Sequence, residues 1–169
     1  MDKNIFLCGF MGSGKTTVGQ ALAGLLGRPY HDLDNWIITA AGMPVSEIFA
    51  QKGEGFFRDV EHQQVVLAGG LRGAVVATGG GAVTFDRNLP PLRENGALVY
   101  LNPGFDACYN RIADDPFRPI VQSNTRESLW ELYQKRHRLY SGVCDFSLDQ
   151  ELTPEESAKR IADWWNSLK

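Results

Sequence analysis

The sequence predicts an α/β fold of three layers, in which one parallel sheet lies between two layers of helices. Short apolar runs alternate with segments of helical periodicity along the chain. The strand-like runs are nearly continuous in apolar residues, as in strands that are covered on both faces. The length of 169 residues fits one domain, which we assign to residues 1–169.

Five segments are the expected strands. They are NIFLC (4–8), PYHDLD (29–34), AVVAT (74–78), ALVYL (97–101) and the short DFSL (145–148). In parallel α/β sheets, ligands bind at the carboxyl ends of the strands. We therefore expect the chemistry of this protein at the ends of the first four strands, after Cys8, Leu33, Thr78 and Leu101.

Helical patterns fill the segments between the strands. The first helix crosses GKTTVGQALAGLLG (14–27), with Gly27 as its stop. Further helices are expected at about 35–41, 45–52, 54–68, 104–113 and 126–140. The segment TPEE predicts a last helix with Thr153 as its N-cap, in a capping box with Glu156.

Composition narrows the classes of function. The net charge of −3 provides no basic field for nucleic acid. No apolar run approaches the ~20 residues of a membrane span, and the first ten residues do not form a signal peptide. The scattered cysteines Cys8, Cys108 and Cys144 form no CxxC motif and fit reduced thiols in a cytoplasm. We expect a cytoplasmic monomer that binds a small molecule rather than nucleic acid or a membrane.

The segment GFMGSGKT (9–16) follows the first strand and fits the pattern G-x-x-x-x-G-K-[ST]. Its backbone N–H groups and the start of the next helix can hold the β-phosphate of a nucleotide. Lys15 can bridge the β- and γ-phosphates, and the Thr16 hydroxyl can ligate Mg²⁺. The expected ATP-binding residues are Gly12, Ser13, Gly14, Lys15, Thr16 and Thr17. A plain glycine-rich turn would leave a lysine unexplained at the start of a buried helix.

The carboxylate on the metal side must come from a strand other than the third. The GTPase motifs DxxG and NKxD do not occur in the sequence, and AVVAT runs into three glycines instead of the Asp-Glu of many ATPases. Asp32 and Asp34 are two residues apart, so on a strand their side chains point the same way. One can orient Mg²⁺ through water while the other faces an acceptor hydroxyl. Alternatively, Asp34 caps the helix expected to begin at Asn35.

Two arginines are candidates for binding an anionic ligand. Arg58 and Glu61 are i, i+3 on one helix, so Glu61 can hold Arg58 in position. Alternatively they form a surface ion pair, which would contribute only about 0–1 kcal/mol. Arg136 falls on the apolar stripe of its helix, where a buried guanidinium needs a substrate carboxylate or a neighbouring acid as partner.

Two further arginines have weaker local signals. Arg118 lies in DDPFRPIV, a segment without periodicity that we expect to be a mobile lid carrying a cation to the transferring phosphoryl group. An exposed loop arginine is the alternative. Arg111, late in a helix, can stack on adenine or face solvent.

The run AVVATGGG (74–81) ends in Gly79, Gly80 and Gly81. Because glycine lacks a side chain, a ligand ring can approach this backbone closely. We interpret the three glycines as the floor of an acceptor site, with a loose loop as the alternative.

In this order and at these spacings, the motifs resemble the shikimate kinase family of P-loop kinases, which are similar to nucleoside-monophosphate kinases. The set comprises the phosphate loop, the acid pair, FRxxE (57–61), GGG, RPI (118–120) and RxxLY (136–140). The resemblance implies a five-stranded parallel sheet in the order 2-3-1-4-5, with a substrate-binding subregion at 33–61 and a lid at 112–125. It implies ATP-dependent phosphorylation of the 3-hydroxyl of shikimate, on the route to chorismate and the aromatic amino acids.

The resemblance also implies roles for individual residues. The shikimate-binding set would be Asp34, Arg58, Gly79, Gly80, Gly81 and Arg136, with the two arginines on the carboxylate. Lys15, Thr16 and Asp32 would serve ATP and Mg²⁺, and Arg118 would be the lid arginine. Arg111 and Pro154 would lie near the adenine. The catalytic set would be Lys15, Asp34 and Arg118, with Asp34 either orienting the hydroxyl or accepting its proton.

Two other functions fit part of the pattern. Gluconate also carries a carboxylate and hydroxyls, so a gluconate kinase or a related small-molecule P-loop kinase would use the arginines in the same way. A nucleotide-dependent switch that binds a protein partner is more remote, because the GTPase base-reading motif is missing and the cationic site suits a small ligand.

Overall fold

The computed structural model describes residues 2–113, 115 and 123–168, and its core is one five-stranded parallel sheet. The strands are β1 (Asn4–Cys8), β2 (Tyr30–Asp32), β3 (Val75–Ala77), β4 (Gly96–Leu101) and β5 (Phe146–Leu148). Their order is β2-β3-β1-β4-β5, and all pairings are parallel. The predicted fold class and strand order are confirmed.

Helices cover both faces of this sheet. They are α1 (Lys15–Leu26), α2 (Leu33–Ala41), α3 (Val45–Gly69), α4 (Leu89–Glu94), α5 (Phe105–Ile112), α6 (Arg126–Val143) and α7 (Pro154–Ser167). Short 3₁₀ turns at Ala82–Thr84 and Asp86–Asn88 connect β3 to α4. The short helix α4 has no counterpart among the predicted elements.

Alternate residues of the strands build two separate cores. On β1, Ile5 and Leu7 pack with α1 and α7, whereas Phe6 and Cys8 pack on the opposite side of the sheet. All five residues of β1 are buried. Because side chains alternate between the faces of a strand, a strand buried on both faces is apolar at successive positions. This explains why residues 5–8 of β1 are a continuous apolar run.

The second strand and its helix differ from the prediction. The strand ends at Asp32, and α2 begins at Leu33 instead of Asn35. Asp32 is the N-cap, and its carboxylate accepts a hydrogen bond of 2.9 Å from the Asp34 N–H. The expectation that Asp32 and Asp34 point the same way along a strand is therefore wrong, as is the alternative that Asp34 is the cap.

Two other helices are longer than predicted. The helices expected at 45–52 and 54–68 form the single element α3, broken at Gly53 by the non-helical angles φ 84° and ψ 171°. Helix α6 continues three residues beyond the predicted end, to Val143. The capping box of Thr153 and Glu156 is present at the start of α7, as predicted. Within the described residues, no helix is long and apolar enough to cross a membrane.

Candidate active site

A cleft of about 810 Å³ opens at the carboxyl ends of the strands and collects most of the predicted site residues. Those that line it are Gly12, Ser13, Gly14, Lys15, Thr16, Thr17, Asp34, Arg58, Gly79, Gly80, Gly81, Arg111, Arg136 and Pro154. Asp32 lies next to the cleft through its contact with Thr16. Arg118 and most of the expected lid at 112–125 lie outside the described residues.

The phosphate loop connects β1 to α1 through glycines with left-handed backbone angles. Gly12 has φ 77° and Gly14 has φ 93°. A Cβ on Gly12 would lie 2.7 Å from the carbonyl oxygen of Cys108, so a larger residue would push the loop away from α5. Helix α1 begins directly after Gly14, and its first N–H groups have no helical acceptor. The loop therefore presents backbone donors to the cleft, as an anion site requires.

Lys15 provides a positive charge at the base of this loop. Its Nζ donates to the carbonyl oxygens of Gly9, at 2.8 Å, and Phe10, at 3.1 Å. Burial lowers the pKa of the Lys15 ammonium, and the charge of Asp34 opposes that effect. The ammonium is thus held by two neutral carbonyls, which it can exchange for the stronger contact with a phosphate.

Thr16 and Asp32 form a pair of oxygen donors beside the loop. The Thr16 hydroxyl lies 3.5 Å from Oδ2 of Asp32, while Oδ1 of the same carboxylate caps α2. Mg²⁺ is bound in nucleotide sites by one or two protein oxygens together with phosphates and water. Asp32 and Thr16 fit that donor set, because a carboxylate oxygen and a hydroxyl oxygen lie 3.5 Å apart beside the loop.

Arg58 and Glu61 form a largely buried ion pair on α3. The Arg58 Nη1 donates to Glu61 Oε1 at 2.8 Å, and the side chains are 15% and 1% exposed. The guanidinium lies over the rings of Phe57 and Phe85, 5.0 Å and 4.7 Å from their centroids. The expected contact between Arg58 and Glu61 is present, and its burial excludes the alternative of a surface pair.

The second carboxylate oxygen of Glu61 has an unusual environment. Oε2 is buried and has no hydrogen-bond partner among the described residues. Burial raises the pKa of Glu61, and the charges of Arg58 and, more weakly, Arg136 oppose part of this rise. This carboxylate faces the tip of β3, because a Cβ on Gly79 would lie 3.3 Å from Oε2.

Each glycine after β3 faces a different charged side chain. A Cβ on Gly79 would lie 3.0 Å from Asp34 Oδ1, and one on Gly80 would lie 3.1 Å from Arg136 Nη1. A Cβ on Gly81 would lie 2.7 Å from Arg58 Nη1. The bare tip of β3 therefore lets two arginines and a carboxylate approach the backbone within a distance that side chains would block.

Arg136 lies on α6 with its guanidinium over Phe10, 6.0 Å from the ring centroid. It is half-buried, and no carboxylate of the described residues lies within ion-pair distance of it. Arg138, two residues later, is exposed. Of the two partners that the sequence left open for Arg136, a neighbouring acid is therefore not found in the described part of the chain.

Arg111 and Pro154 also line the cleft. Arg111 is exposed, and its Nη1 donates to the Gly12 carbonyl at 3.0 Å. Its Nη2 lies 3.8 Å from Glu151, a pair whose members are 40% and 65% exposed. Pro154 is the first residue of α7. Arg111 thus donates a hydrogen bond to the phosphate loop while its side chain stays exposed to solvent.

Several residues of the cleft were not predicted from the sequence. Leu148, the last residue of β5, lines the cleft together with Gln150 and Leu152 from the segment after it, and α3 contributes Phe49 and Phe57. The rule that ligands bind at the carboxyl ends of strands would have found the first group, if applied to the fifth strand. Phe57 is the first residue of the motif FRxxE, whereas Phe49 has no such signal, because helical spacing alone indicates a face packed in the core.

The chain is similar to named proteins over nearly its whole length. The sequence model of a family described as shikimate kinase matches residues 11–166. A shikimate kinase from Thermodesulfovibrio yellowstonii is 43% identical over 168 residues, which are 98% of this chain and 96% of that protein. One from Moorella thermoacetica is 43% identical over 173 residues, 99% of each. The structure of shikimate kinase from Acinetobacter baumannii in complex with shikimate has a TM-score of 0.94 at 34% identity, covering 100% of this chain and 96% of that one.

Proposed function

The chain belongs to the shikimate kinase family, and we propose on this premise that it transfers the γ-phosphoryl group of ATP to the 3-hydroxyl of shikimate. The products are shikimate 3-phosphate and ADP, on the route to chorismate and the aromatic amino acids. One observation carries the proposal: a half-buried arginine without a carboxylate partner among the described residues, Arg136, lines the same cleft as the phosphate loop. A substrate that carries both a carboxylate and a hydroxyl satisfies both features.

The arginines and glycines form the acceptor end of the cleft. Arg58 and Arg136 bind the shikimate carboxylate from two helices, with charge-assisted hydrogen bonds. Glu61 holds Arg58 in place through the contact of 2.8 Å. Gly79, Gly80 and Gly81 are the floor, against which the ring of the substrate lies.

The phosphate loop and the acid pair form the phosphoryl-transfer end. The loop N–H groups and Lys15 hold the phosphates, and Thr16 and Asp32 hold Mg²⁺. When bound, Mg²⁺ neutralises charge on the phosphates. Asp34 lies beside the glycine floor, where it orients the acceptor hydroxyl and receives its proton. Since phosphoryl transfer has a loose transition state, positioning matters more here than a strong base.

The remaining features of the proposal concern the whole chain. Residues 1–169 act as one domain, with the substrate-binding subregion at 33–61. Arg118 in the lid at 112–125 supplies a cation to the transferring phosphoryl group. Arg111 and Pro154 lie beside the adenine. The protein acts in the cytoplasm as a monomer, without a nucleic-acid or membrane partner.

A coupled assay of ADP release tests the activity. ATP and Mg²⁺ are supplied with shikimate, with gluconate or with no acceptor. We expect turnover with shikimate only. Turnover with gluconate instead would favour a gluconate kinase, and hydrolysis independent of any acceptor would favour a nucleotide-dependent switch.

The role of Arg136 is tested by Arg136→Ala, with Arg138→Ala as the matched control on the same helix. Loss of charge-assisted hydrogen bonds worth about 1.5–3 kcal/mol should raise the KM for shikimate about 10- to 150-fold. The KM for ATP should change little, and Arg138→Ala should resemble the parent because its side chain is exposed. Equal losses for both substrates in Arg136→Ala would mean that this arginine is structural.

A further inference from the structure

We propose that Tyr140 is a positioning residue that couples the phosphate loop to the acceptor floor, so that nucleotide occupancy changes the affinity for the acceptor. This inference rests on the proposed function, because it assigns the loop to ATP and the floor to shikimate. It concerns the last residue of RxxLY (136–140), to which the sequence assigns no separate role.

The hydroxyl of Tyr140 lies between the two halves of the site. The side chain is fully buried, and its ring packs on Tyr100 with the centroids 4.9 Å apart. The hydroxyl donates to the carbonyl of Gly80, in the acceptor floor, and lies 3.3 Å from the carbonyl oxygen of Gly9, the first residue of the phosphate loop. Because a phenol carries one hydrogen, it cannot serve both carbonyls fully at the same time.

The carbonyl of Gly9 has a second donor in this state. Lys15 Nζ donates to it at 2.8 Å. Lys15 therefore supplies the hydrogen bond to the Gly9 carbonyl, and the Tyr140 hydroxyl donates to the Gly80 carbonyl. Among the described residues, Lys15 and Tyr140 are the side-chain donors in contact with the Gly9 carbonyl.

Binding of a nucleotide changes this division. When the ammonium of Lys15 turns to the phosphates, the buried carbonyl of Gly9 loses its donor. Buried carbonyls are rarely left unpaired, so the hydroxyl of Tyr140 is drawn from Gly80 towards Gly9. The carbonyl of Gly80 is then released, which changes the orientation of the peptide in the centre of the acceptor floor.

Arg136 lies close to the same hydroxyl, since a Cβ on Gly80 would lie 3.1 Å from Arg136 Nη1 and 3.9 Å from the Tyr140 oxygen. Burial raises the pKa of the Tyr140 phenol, while the charge of Arg136 acts in the opposite direction. Arg136 precedes Tyr140 by one helical turn and also lies next to Gly80. A shift of the Tyr140 hydroxyl therefore changes the surroundings of both the acceptor floor and Arg136, the arginine proposed to bind the acceptor carboxylate.

If the role of Tyr140 is purely structural, a different result is expected. In that case the hydroxyl only anchors α6 to the loops, and its removal lowers stability without changing how one substrate affects the other. The measurement that separates the roles is the ratio of two dissociation constants of shikimate, with and without nucleotide.

Isothermal titration of shikimate measures this ratio, with and without a non-hydrolysable ATP analogue and Mg²⁺. It is applied to the parent protein, to Tyr140→Phe and to Tyr100→Phe. Tyr100 is the matched control, because it is equally buried and its hydroxyl bonds to His137, at 2.9 Å. In the parent, we expect the dissociation constants of shikimate with and without nucleotide to differ about fivefold, which corresponds to the free energy of one neutral hydrogen bond. We expect the same ratio in Tyr100→Phe. In Tyr140→Phe the ratio should return to about one.

Two results would overturn the inference. One is a ratio of one in the parent protein. This measurement needs no variant, so it tests the inference even if Tyr140→Phe does not fold. The other is an unchanged ratio in Tyr140→Phe. Failure of the parent to bind and phosphorylate shikimate would instead refute the proposed function, and the inference with it.

Discussion

Replacing Gly81 by alanine should detach Arg58 from its place at the acceptor floor. Gly81 has φ −97° and ψ −10°, a right-handed conformation that alanine adopts without strain. The effect of the substitution is therefore steric. The new Cβ would lie 2.7 Å and 2.8 Å from the two terminal nitrogens of Arg58 and 3.1 Å from its Cζ.

The magnitude follows from how tightly Arg58 is held. Its nearest nitrogen must move by about 0.7 Å to reach the 3.4 Å at which ordinary contacts begin. The rings of Phe57 and Phe85 flank the guanidinium, and Glu61 holds Nη1. The movement therefore costs about one hydrogen bond to a charged group, or about 1.5–3 kcal/mol. This cost corresponds to a rise of about 10- to 150-fold in the KM for shikimate.

Steady-state kinetics with shikimate varied at saturating ATP measures this rise, and a thermal melt verifies that the variant is folded. Gly142→Ala is the control, because a Cβ at that position of α6 meets no atom within 4 Å. Gly80→Ala should have a smaller effect, since its Cβ would lie 3.1 Å from the end of Arg136. A folded Gly81→Ala protein with a KM within twofold of the parent would refute the role given to Arg58 and restore the loose-loop alternative.

Two further predictions concern stability. Because burial raises the pKa of Glu61, its contribution to stability is present below the unfolded value near 4.5 and is lost as the pH rises through the folded pKa. Glu61→Gln lacks this loss, so its free energy of unfolding in urea, relative to that of the parent, should increase as the pH rises above 4.5. Shikimate should bind this variant more weakly, because Arg58 loses its charged partner. Parallel pH profiles of the free energy of unfolding for the two proteins would contradict the prediction. Thr153→Ala removes the cap that accepts the Glu156 N–H at 3.2 Å, and should cost about 1 kcal/mol, or about 2–4 °C in Tm, without changing the KM for shikimate. An unchanged Tm would show that the capping box contributes nothing to α7.

The boundary between β2 and α2 illustrates where sequence patterns become ambiguous. Asp32 and Asp34 both lie where a strand passes directly into a helix. Either residue has the chemistry of an N-cap, and the apolar Leu33 fits the end of a strand as well as the start of a helix. The pairing of β2 with β3 ends opposite Ala77, which leaves Leu33 free to begin the helix. That decision depends on a partner strand more than 40 residues away in the chain.

The ion pair of Arg58 and Glu61 illustrates a second limit. Their spacing predicted the contact, since residues three apart on a helix are neighbours. The spacing could not predict that Glu61 is 1% exposed or that Phe85 covers the guanidinium. Burial depends on the elements that pack over a helix, and these come from distant parts of the chain.

By itself, the sequence determined the alternation of strands and helices, the phosphate loop, the bare tip of β3 and the capping box of α7. These features depend on residues within a few positions of one another, through periodicity, backbone freedom and local hydrogen bonds. Only the tertiary structure decided that three successive glycines face Asp34, Arg136 and Arg58, and that the hydroxyl of Tyr140 lies between Gly9 and Gly80. The reason is that Tyr140 is separated from these two partners by 131 and 60 residues, a distance over which no local pattern operates and only packing of the sheet and helices brings groups together.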